Sequence, residues 1–212
     1  MTSEIASGAP LVVTEQMNGA DLFPQPGVAA VRLGGVIKDL HSLLEPGQSA
    51  EPVMIDSPDG LEILRHSAAH VLAQAVQTLN PEAKLGIGPP VADGFYYDFD
   101  VAEPFSPEQL SALEKEMQRI VKSGQRFVRR VVSADEALME LAKEPYKCEL
   151  VGLKDQAAEG DQGESVEVGA GELTIYDNVD PKTGDTVWKD LCRGPHVPST
   201  RMLGNGWKLT RL

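Results

Sequence analysis

The chain has 212 residues, 42% of them hydrophobic, which is enough for one ordinary domain and a smaller second one. Its formal net charge of -13 argues against non-specific coating of nucleic acid, because such binding depends on phosphate neutralisation by Lys and Arg. The sequence contains no apolar run long enough to span a membrane, no secretory signal and only two cysteines, which indicates a cytoplasmic protein without membrane contact.

The first 56 positions alternate short apolar runs with turn residues. The strand-like runs are LVVTE, VAAVRL, GVIKDL and PVMID, and the turn signals between them are NG, PQPG and EPGQ. They predict a small β-rich module. Near Ser57 the apolar period changes from two to about 3.6. We therefore divide the chain into a domain at 1–58 and a larger domain at 59–212.

From Leu61 to the Asn80-Pro81 pair, apolar residues recur at spacings of three and four, which predicts an amphipathic helix. His66 and His70 are four residues apart in the HSAAH motif and so share one face, almost opposite the leucine stripe. The other residues of that face are small or uncharged. We therefore expect a helix that is covered on two sides, with both histidines lining a pocket.

The central third of the chain carries clear hairpin and helix signals. AKLGIGPPVADGFYYDFDV predicts a hairpin whose second arm is GFYYDFDV. Capping boxes at Ser106–Gln109 and Ser133–Glu136 begin two helices, which we expect to end at Gly124 and near Lys143, with the strand RFVRRVV between them.

The last third begins with an acidic, Gly-rich segment at 152–172 that predicts a loop. ELTIYDN and TVWKDL then flank the turn Asp180–Gly184 and predict a hairpin that leads into DLCRGPHVPST. The terminal WKLTRL is strand-like and lacks a closing turn, so we expect the natural polypeptide to continue beyond Leu212.

Six cations and a single acid occupy the segment 115–130. Two interpretations remain open for this segment. It is either a solvated helix face followed by a strand, or a surface that contacts phosphates and guides an RNA.

Cys192 and His196 flank Gly194-Pro195, a turn that allows both side chains to point the same way. Together with His66 and His70 they make a possible tetrahedral zinc site with three nitrogens and one sulfur. A Cys-His nucleophilic pair is a second possibility, and histidines that hold or deprotonate a water are a third. We rank water attack above the thiol, because a cysteine hydrolase rarely needs three histidines. Each motif alone is more often an ordinary feature of the core or the surface than a site.

Two charged residues have both a functional and an ordinary interpretation. Asp190, two residues before Cys192, could orient a histidine or assist a general base, or it could be an edge-strand charge. Lys147 could stabilise negative charge on a reacting carbonyl, although such a lysine is ordinarily a surface residue.

Four motifs, RHSAAHVLAQAVQ, AKLGIGPPVADGFYYDFD, EPYKCEL and DLCRGPHVPST, resemble the N-terminal region of bacterial threonyl-tRNA synthetase in order and spacing. The similarity runs from about Leu61 to Leu212, and VAAVRLGGVIKDLHSLLEPGQSAEPVMIDSPDG resembles the second half of the TGS domain that precedes it. The resemblance implies an α+β chain, with a small β-grasp (TGS-like) domain followed by a larger α+β editing domain with an antiparallel sheet and helices.

In that family the editing domain hydrolyses serine wrongly attached to threonine tRNA, so the resemblance implies an aminoacyl-tRNA ester hydrolase. It implies catalytic roles for His66, His70, Lys147, Asp190, Cys192 and His196, and substrate-binding roles for Tyr97 and Tyr176. The related alanyl-tRNA synthetase editing domains use the matching groups as metal ligands. We nevertheless expect no cofactor here, with zinc on His66, His70, Cys192 and His196 as the alternative.

The resemblance also implies the partners. These are the acceptor end of tRNA(Thr) carrying serine and the downstream domains of the same polypeptide, which hold the ATP and zinc of aminoacylation and make the full-length protein a homodimer. The alternatives are a freestanding trans-editing factor and a non-catalytic tRNA-binding module, with or without a stabilising zinc.

Overall fold

The computed structural model describes residues 9–157 and 172–211 and places an antiparallel sheet at the start of the chain. The first elements are β1 (Leu11–Val12), β2 (Met17–Asn18), α1 (Gly19–Leu22), β3 (Val28–Leu33), β4 (Val36–Asp39), β5 (Leu43–Leu44) and β6 (Ser49–Met54). The sheet has the strand order β1-β6-β3-β4, and β2 pairs with β5 beside it. The four predicted strands are therefore present, each within or close to its predicted run.

The predicted turn at Asn18-Gly19 is wrong, because these residues begin the short helix α1. The Asn18 side chain accepts a hydrogen bond from the backbone N–H of Ala20 at 2.9 Å and so caps that helix. Asn favours both turns and helix N-caps for the same reason, since its short side chain bonds to nearby backbone N–H groups.

A long helix, α2 (Pro58–Leu79), follows the sheet and carries the HSAAH motif. The Ser57 hydroxyl accepts a hydrogen bond from the backbone N–H of Gly60 at 3.1 Å, and Pro58 occupies the first turn, where its missing N–H costs nothing. The helix is confirmed; it begins three residues before Leu61 because the serine cap, and not the first leucine, decides where it starts.

The predicted central hairpin consists of two short ladders. In the outer ladder β7 (Lys84–Leu85) pairs with β10 (Phe99–Asp100), and in the inner one β8 (Pro90–Val91) pairs with β9 (Gly94–Phe95). A Cβ added at Gly88 would overlap the Tyr97 ring, so glycine at this position lets the first arm lie directly on that aromatic side chain.

The rest of the chain forms α3 (Pro107–Ser123), β11 (Arg126–Val132), α4 (Ala134–Glu140), α5 (Pro145–Ala157), β12 (Leu173–Val179) and β13 (Thr186–Leu191), and then a 3-10 turn at Thr200–Leu203. Both capping boxes form as predicted, and Gly124 ends α3 in the left-handed conformation with φ 69°. The last three strands make an antiparallel sheet in sequence order. The described part of the chain is therefore α+β, as predicted.

Three predictions about local structure need correction. Helix α4 ends at Glu140, earlier than the expected Lys143. Helix α5 covers the start of the segment expected to be a loop, while positions 158–171 of that segment lie outside the described residues. Trp207–Arg211 form no strand; the Leu209 backbone N–H instead donates to the Glu114 carboxylate at 3.0 Å.

One hydrophobic cluster crosses the predicted boundary at 58/59. It combines residues of β3 and β6, of α2 and α3, and of the C-terminal segment, among them Ala30, Val53, Val71, Met117 and Val197. The assignment of the first sheet to a TGS-like domain, and the boundary itself, stay predictions. Among the described residues, no helix is long and apolar enough to cross a membrane.

Candidate active site

Helix α2 supplies the first wall of the candidate site. His66 and His70 are 5% and 2% exposed, and the alanines around them let other elements approach closely. The hydroxyl of Ser67 donates to the Ile63 carbonyl at 2.8 Å and accepts from the backbone N–H of Val197 at 3.0 Å. The histidine face therefore points into the protein and is hydrogen-bonded to the C-terminal loop, as the uncharged face predicted.

The exit of the last hairpin supplies the second wall. After β13 ends, Cys192 and His196 are held by a tight turn that contains a cis Gly194-Pro195 peptide and a positive φ of 70° at Gly194. A Cβ added at Gly194 would overlap the Tyr176 hydroxyl, so only glycine fits both the backbone conformation and the contact.

The two walls meet, as the two motifs predicted. The ring centroid of His196 lies 4.3 Å from that of His66 and 4.2 Å from that of His70. One ligand-type atom from each of the residues His66, His70, Cys192 and His196 lies within 4.8 Å of the others, and all four residues are buried.

Hydrogen bonds constrain the tautomers of two of these rings. The Ser67 hydroxyl contacts the Ile63 carbonyl at 2.8 Å and His196 Nδ1 at 3.1 Å, and when its single proton goes to the carbonyl the imidazole is the donor in the second contact. The ring of His66 likewise donates to the carbonyl of Pro195. The Nε2 atoms of both rings lie beside Cys192 Sγ, at 3.2 Å for His66 and 3.4 Å for His196. A single S–H proton can satisfy only one of them.

A charged group lies beside the imidazoles and centres on Asp190. Its carboxylate is 3.2 Å from Lys147 Nζ, accepts a hydrogen bond from the Tyr97 hydroxyl at 2.6 Å and lies 3.8 Å from His70 Nε2. Asp190 and Lys147 are both fully buried. Asp190 therefore lies on β13, the edge strand of its sheet, but is a buried interior carboxylate and not a solvated charge.

The ordinary interpretation of Lys147 as a surface residue is wrong. Lys147 lies on α5, a helix that the sequence did not predict, and Glu144 just before it accepts hydrogen bonds from the Leu85 backbone at 2.8 Å and from Gln77 at 2.7 Å. These bonds join the start of α5 to β7 and α2, which directs the lysine into the interior. EPYKCEL contains no pattern that would indicate this burial.

Burial determines the protonation of the imidazoles. Removal from water lowers the pKa of His66 to about 4, with smaller lowering effects from Arg193 and Lys147. The pKa values of His70 and His196 also lie well below the usual range, first because of burial and then because of neighbouring rings and, for His70, Lys147. At neutral pH all three rings are uncharged and can accept a proton or ligate a metal.

The donor set also fits a zinc ion. Zinc with nitrogen and sulfur ligands at about 2.0 and 2.3 Å in tetrahedral geometry has ligand-to-ligand edges of about 3.5 Å. The distances of 3.2 and 3.4 Å from Cys192 Sγ to the two Nε2 atoms are close to such edges. His70 Nδ1 is buried without a hydrogen-bond partner among the described residues, which leaves one further nitrogen for a ligand or a water.

Two residues at the site were missed by the sequence interpretation. Ser67 lies inside HSAAH, where a hydroxyl beside a histidine could have drawn attention. Asp39 ends β4 and accepts a hydrogen bond from Tyr176 at 2.7 Å. Asp39 is far from every motif in the sequence, so no local signal marked it.

Tyr176, which was expected to bind substrate, is fully buried and packs edge-on against His196 with ring centroids 4.6 Å apart.

Three of the six cations of segment 115–130 form ion pairs among the described residues. Arg130 contacts Glu140 at 2.9 Å and Asp177 at 2.5 Å, and Arg119 contacts Glu116 at 2.6 Å. Glu140 and Asp177, which lie outside the segment, thus offset a charge on Arg130 that looked unopposed. This arrangement favours the interpretation of a solvated face.

Comparisons with known proteins show which sequences this chain resembles. A family model described as the threonyl and alanyl tRNA synthetase second additional domain matches residues 173–211, which include Asp190, Cys192 and His196. The threonine--tRNA ligase of Leifsonia xyli is 66% identical over 205 residues, 95% of this chain and 30% of that protein. Those of Streptomyces griseus and Micrococcus luteus are 65% and 60% identical, over 91% and 94% of this chain and 29% and 30% of theirs.

The chain is homologous to part of threonyl-tRNA synthetase. The resemblance carried by the four motifs is thereby confirmed. The chain spans about 30% of the length of the curated relatives it matches. The histidine helix lies outside the matched range of the family model but inside the long similarity to threonyl-tRNA synthetases.

Proposed function

We propose that this chain hydrolyses the ester of serine mistakenly attached to tRNA(Thr), as the proofreading part of a threonyl-tRNA synthetase. The observation that carries the proposal is the convergence of three neutral imidazoles with Cys192, one of them, His70, 3.8 Å from the carboxylate of a buried Asp190–Lys147 pair. A cluster of bases beside a positive charge is what ester hydrolysis by water requires: one group takes the proton of the water, and another stabilises the oxyanion.

The residues divide these roles by their positions. His70 takes the water proton, because its Nδ1 has no hydrogen-bond partner among the described residues and its Nε2 faces Asp190, which stabilises the imidazolium that forms. Lys147 offsets negative charge on the carbonyl oxygen or on the terminal phosphate. His66, Cys192 and His196 form the opposite wall and hold the water in place.

Size explains why such a site would act on serine. A synthetic site for threonine cannot strongly reject serine, because a missing methyl changes binding by only about 1 to 3 kcal/mol. A second site with no room for that methyl admits serine and excludes threonine. None of the predicted site side chains is more than 7% exposed, so the proposal requires the site to open for the ester and to close around a small side chain.

The decisive measurement compares hydrolysis of seryl-tRNA(Thr) and threonyl-tRNA(Thr) by the purified chain. We expect the seryl ester to be cleaved at least about tenfold faster, which is the lower end of single-methyl discrimination. The uncatalysed hydrolysis of each ester is the control. Cleavage of both esters at the same enhanced rate would contradict the size account but not the hydrolase.

We propose that this reaction needs no metal ion, although the donor set fits zinc. Lys147 already places a buried positive charge beside the cluster, where it balances Asp190. Zinc bound by one thiolate and three neutral imidazoles would add a net positive charge to the same interior, at a cost in desolvation and repulsion. The Lys147 ammonium group can supply the positive charge that zinc would otherwise provide to stabilise the oxyanion.

Metal analysis tests this choice. We expect purified chain to contain far less than one zinc per molecule, and hydrolysis to be unchanged after dialysis against a chelator. A His66→Gln variant provides the matched control, since any tightly bound zinc should fall with loss of a ligand. Stoichiometric zinc whose removal stops hydrolysis, and whose return restores it, would overturn the metal-free proposal.

The same proposal identifies the partners. The acceptor end of tRNA(Thr) carrying serine is the substrate, the rest of a homodimeric synthetase polypeptide supplies aminoacylation with its ATP and zinc, and the cytoplasm is the location.

A further inference from the structure

We propose that Asp39, at the end of a strand in the N-terminal sheet, is a positioning residue of the hydrolytic site. The inference rests on the proposed function for its kinetic consequence and on the hydrogen bonds of one carboxylate for its geometry. Asp39 is the last residue of β4 and pairs with Ala30 in β3, so its backbone belongs to the first sheet. Its side chain, however, accepts hydrogen bonds from two residues on the opposite side of the predicted boundary at 58/59.

The carboxylate uses both oxygens on the elements that carry the site. Oδ1 accepts the backbone N–H of His196 at 3.0 Å, and Oδ2 accepts the hydroxyl of Tyr176 at 2.7 Å. Hydrogen bonds to a charged acceptor are about twice as strong as neutral ones, so both contacts are effective restraints.

These two restraints act on the same imidazole from different directions. One holds the backbone of His196. The other holds Tyr176, whose ring lies edge-on to the His196 ring and whose hydroxyl lies against Gly194. Ser67 fixes the far side of the turn through His196 Nδ1 and the Val197 N–H. The turn that carries Cys192 and His196 is therefore held between α2 and β4.

Burial of this carboxylate has an energetic cost, which indicates that it is retained for its contacts. Removal from water raises the pKa of Asp39, while the hydrogen bonds from His196 and Tyr176 and the charge of Arg129 act in the opposite direction. Since Asp39 touches neither the imidazole nitrogens nor the thiol, it acts through the turn and not on the substrate.

Loss of the carboxylate should misplace the turn without removing any group that reacts. Displacement of a reacting group by about 1 Å can cost as much as a hundredfold in rate. We therefore expect Asp39→Ala to lower kcat for seryl-tRNA(Thr) hydrolysis by about tenfold to a hundredfold with little change in KM. Asp39→Asn retains an acceptor for the His196 N–H and should recover most of the rate.

The matched control is Asp59→Ala. Asp59 also joins the first sheet to the rest of the chain, through an ion pair with Arg32 in β3, but it makes no described contact with the site. Asp59→Ala should lower the folding stability as much as Asp39→Ala does, in so far as both weaken the contact between the first sheet and the rest of the chain. It should leave kcat unchanged. Tyr176→Phe should lower kcat as well, and the double variant Asp39→Ala, Tyr176→Phe should be little worse than Asp39→Ala, because the two residues share one contact.

A second readout does not depend on hydrolysis. In a Cys148→Ser background the remaining thiol is Cys192, which is fully buried. Asp39→Ala should raise the rate of alkylation of this thiol by at least about tenfold as the turn loosens, whereas Asp59→Ala should leave it near the parent rate.

The two readouts separate the possible failures. If the parent chain hydrolyses no ester but Asp39→Ala still exposes Cys192 selectively, the proposed function fails and the positioning role stands. If Asp39→Ala matches Asp59→Ala in both kcat and alkylation, the positioning role is overturned, whatever the substrate of the chain.

Discussion

Replacement of His70 by asparagine is expected to slow seryl-tRNA(Thr) hydrolysis by about 10²- to 10⁴-fold, the range found when a general base is removed. His70 combines a neutral ring, an Nδ1 atom without a hydrogen-bond partner among the described residues, and a carboxylate 3.8 Å from Nε2. Asparagine is polar and smaller, so α2 should keep its place while the proton acceptor is lost.

The comparison for this variant is His41→Asn. His41 is exposed and its described hydrogen bond uses only the backbone carbonyl, so its replacement should leave the rate unchanged. Single-turnover rates with excess protein, together with thermal unfolding of both variants, measure the effect. If His70→Asn hydrolyses the ester at nearly the parent rate, the water proton must pass to His66 or His196 instead.

Replacement of Asp190 by asparagine is expected to reduce both stability and activity. The carboxylate faces a fully buried Lys147 ammonium at 3.2 Å, and removal of one charge from a buried pair costs about 3 to 5 kcal/mol of unfolding free energy. The variant also deprives His70 of the group that stabilises its protonated form, so hydrolysis should fall further than the loss of folded protein explains.

A double variant separates these two effects. Asp190→Asn combined with Lys147→Met removes the whole pair and should recover much of the stability, because uncharged groups of similar volume often replace a buried ion pair without loss. Hydrolysis should not recover. Lys189→Met, which breaks an exposed pair with Glu140, should cost less than about 1 kcal/mol. The test is to measure urea unfolding and deacylation rates for the parent chain, Asp190→Asn, the double variant and Lys189→Met. Recovery of hydrolysis in the double variant would show that the Asp190–Lys147 pair is purely structural.

The sequence predicted those parts of the structure that depend on local rules. Ser106 and Ser133 each mark the start of a helix, because an N-cap acts on backbone groups within its own turn. The spacing in HSAAH gave the shared face of the two histidines for the same reason. The turn at Asp180–Gly184 also forms where its residues predicted it.

The parts that escaped prediction depend on partners distant in the chain. Lys147 is buried because Glu144 bonds to Gln77 and to the Leu85 backbone, and nothing in EPYKCEL reports those contacts. Asp39 joins the site because β4 lies beside Tyr176, which is 137 positions away. Long-range packing of this kind overrides local patterns, so a charged residue at the end of a strand cannot be recognised as interior from its neighbours alone.

The hydrophobic cluster that crosses the predicted boundary has a consequence for how the protein folds. Ala30 and Val53 of the first sheet share a core with Val71, Met117 and Val197. Separation at 58/59 would therefore expose apolar surface on both pieces, so the described elements should lose their structure together, in one cooperative transition. A substitution in the first sheet can then change the lifetime of the folded candidate site without touching any residue that lines it.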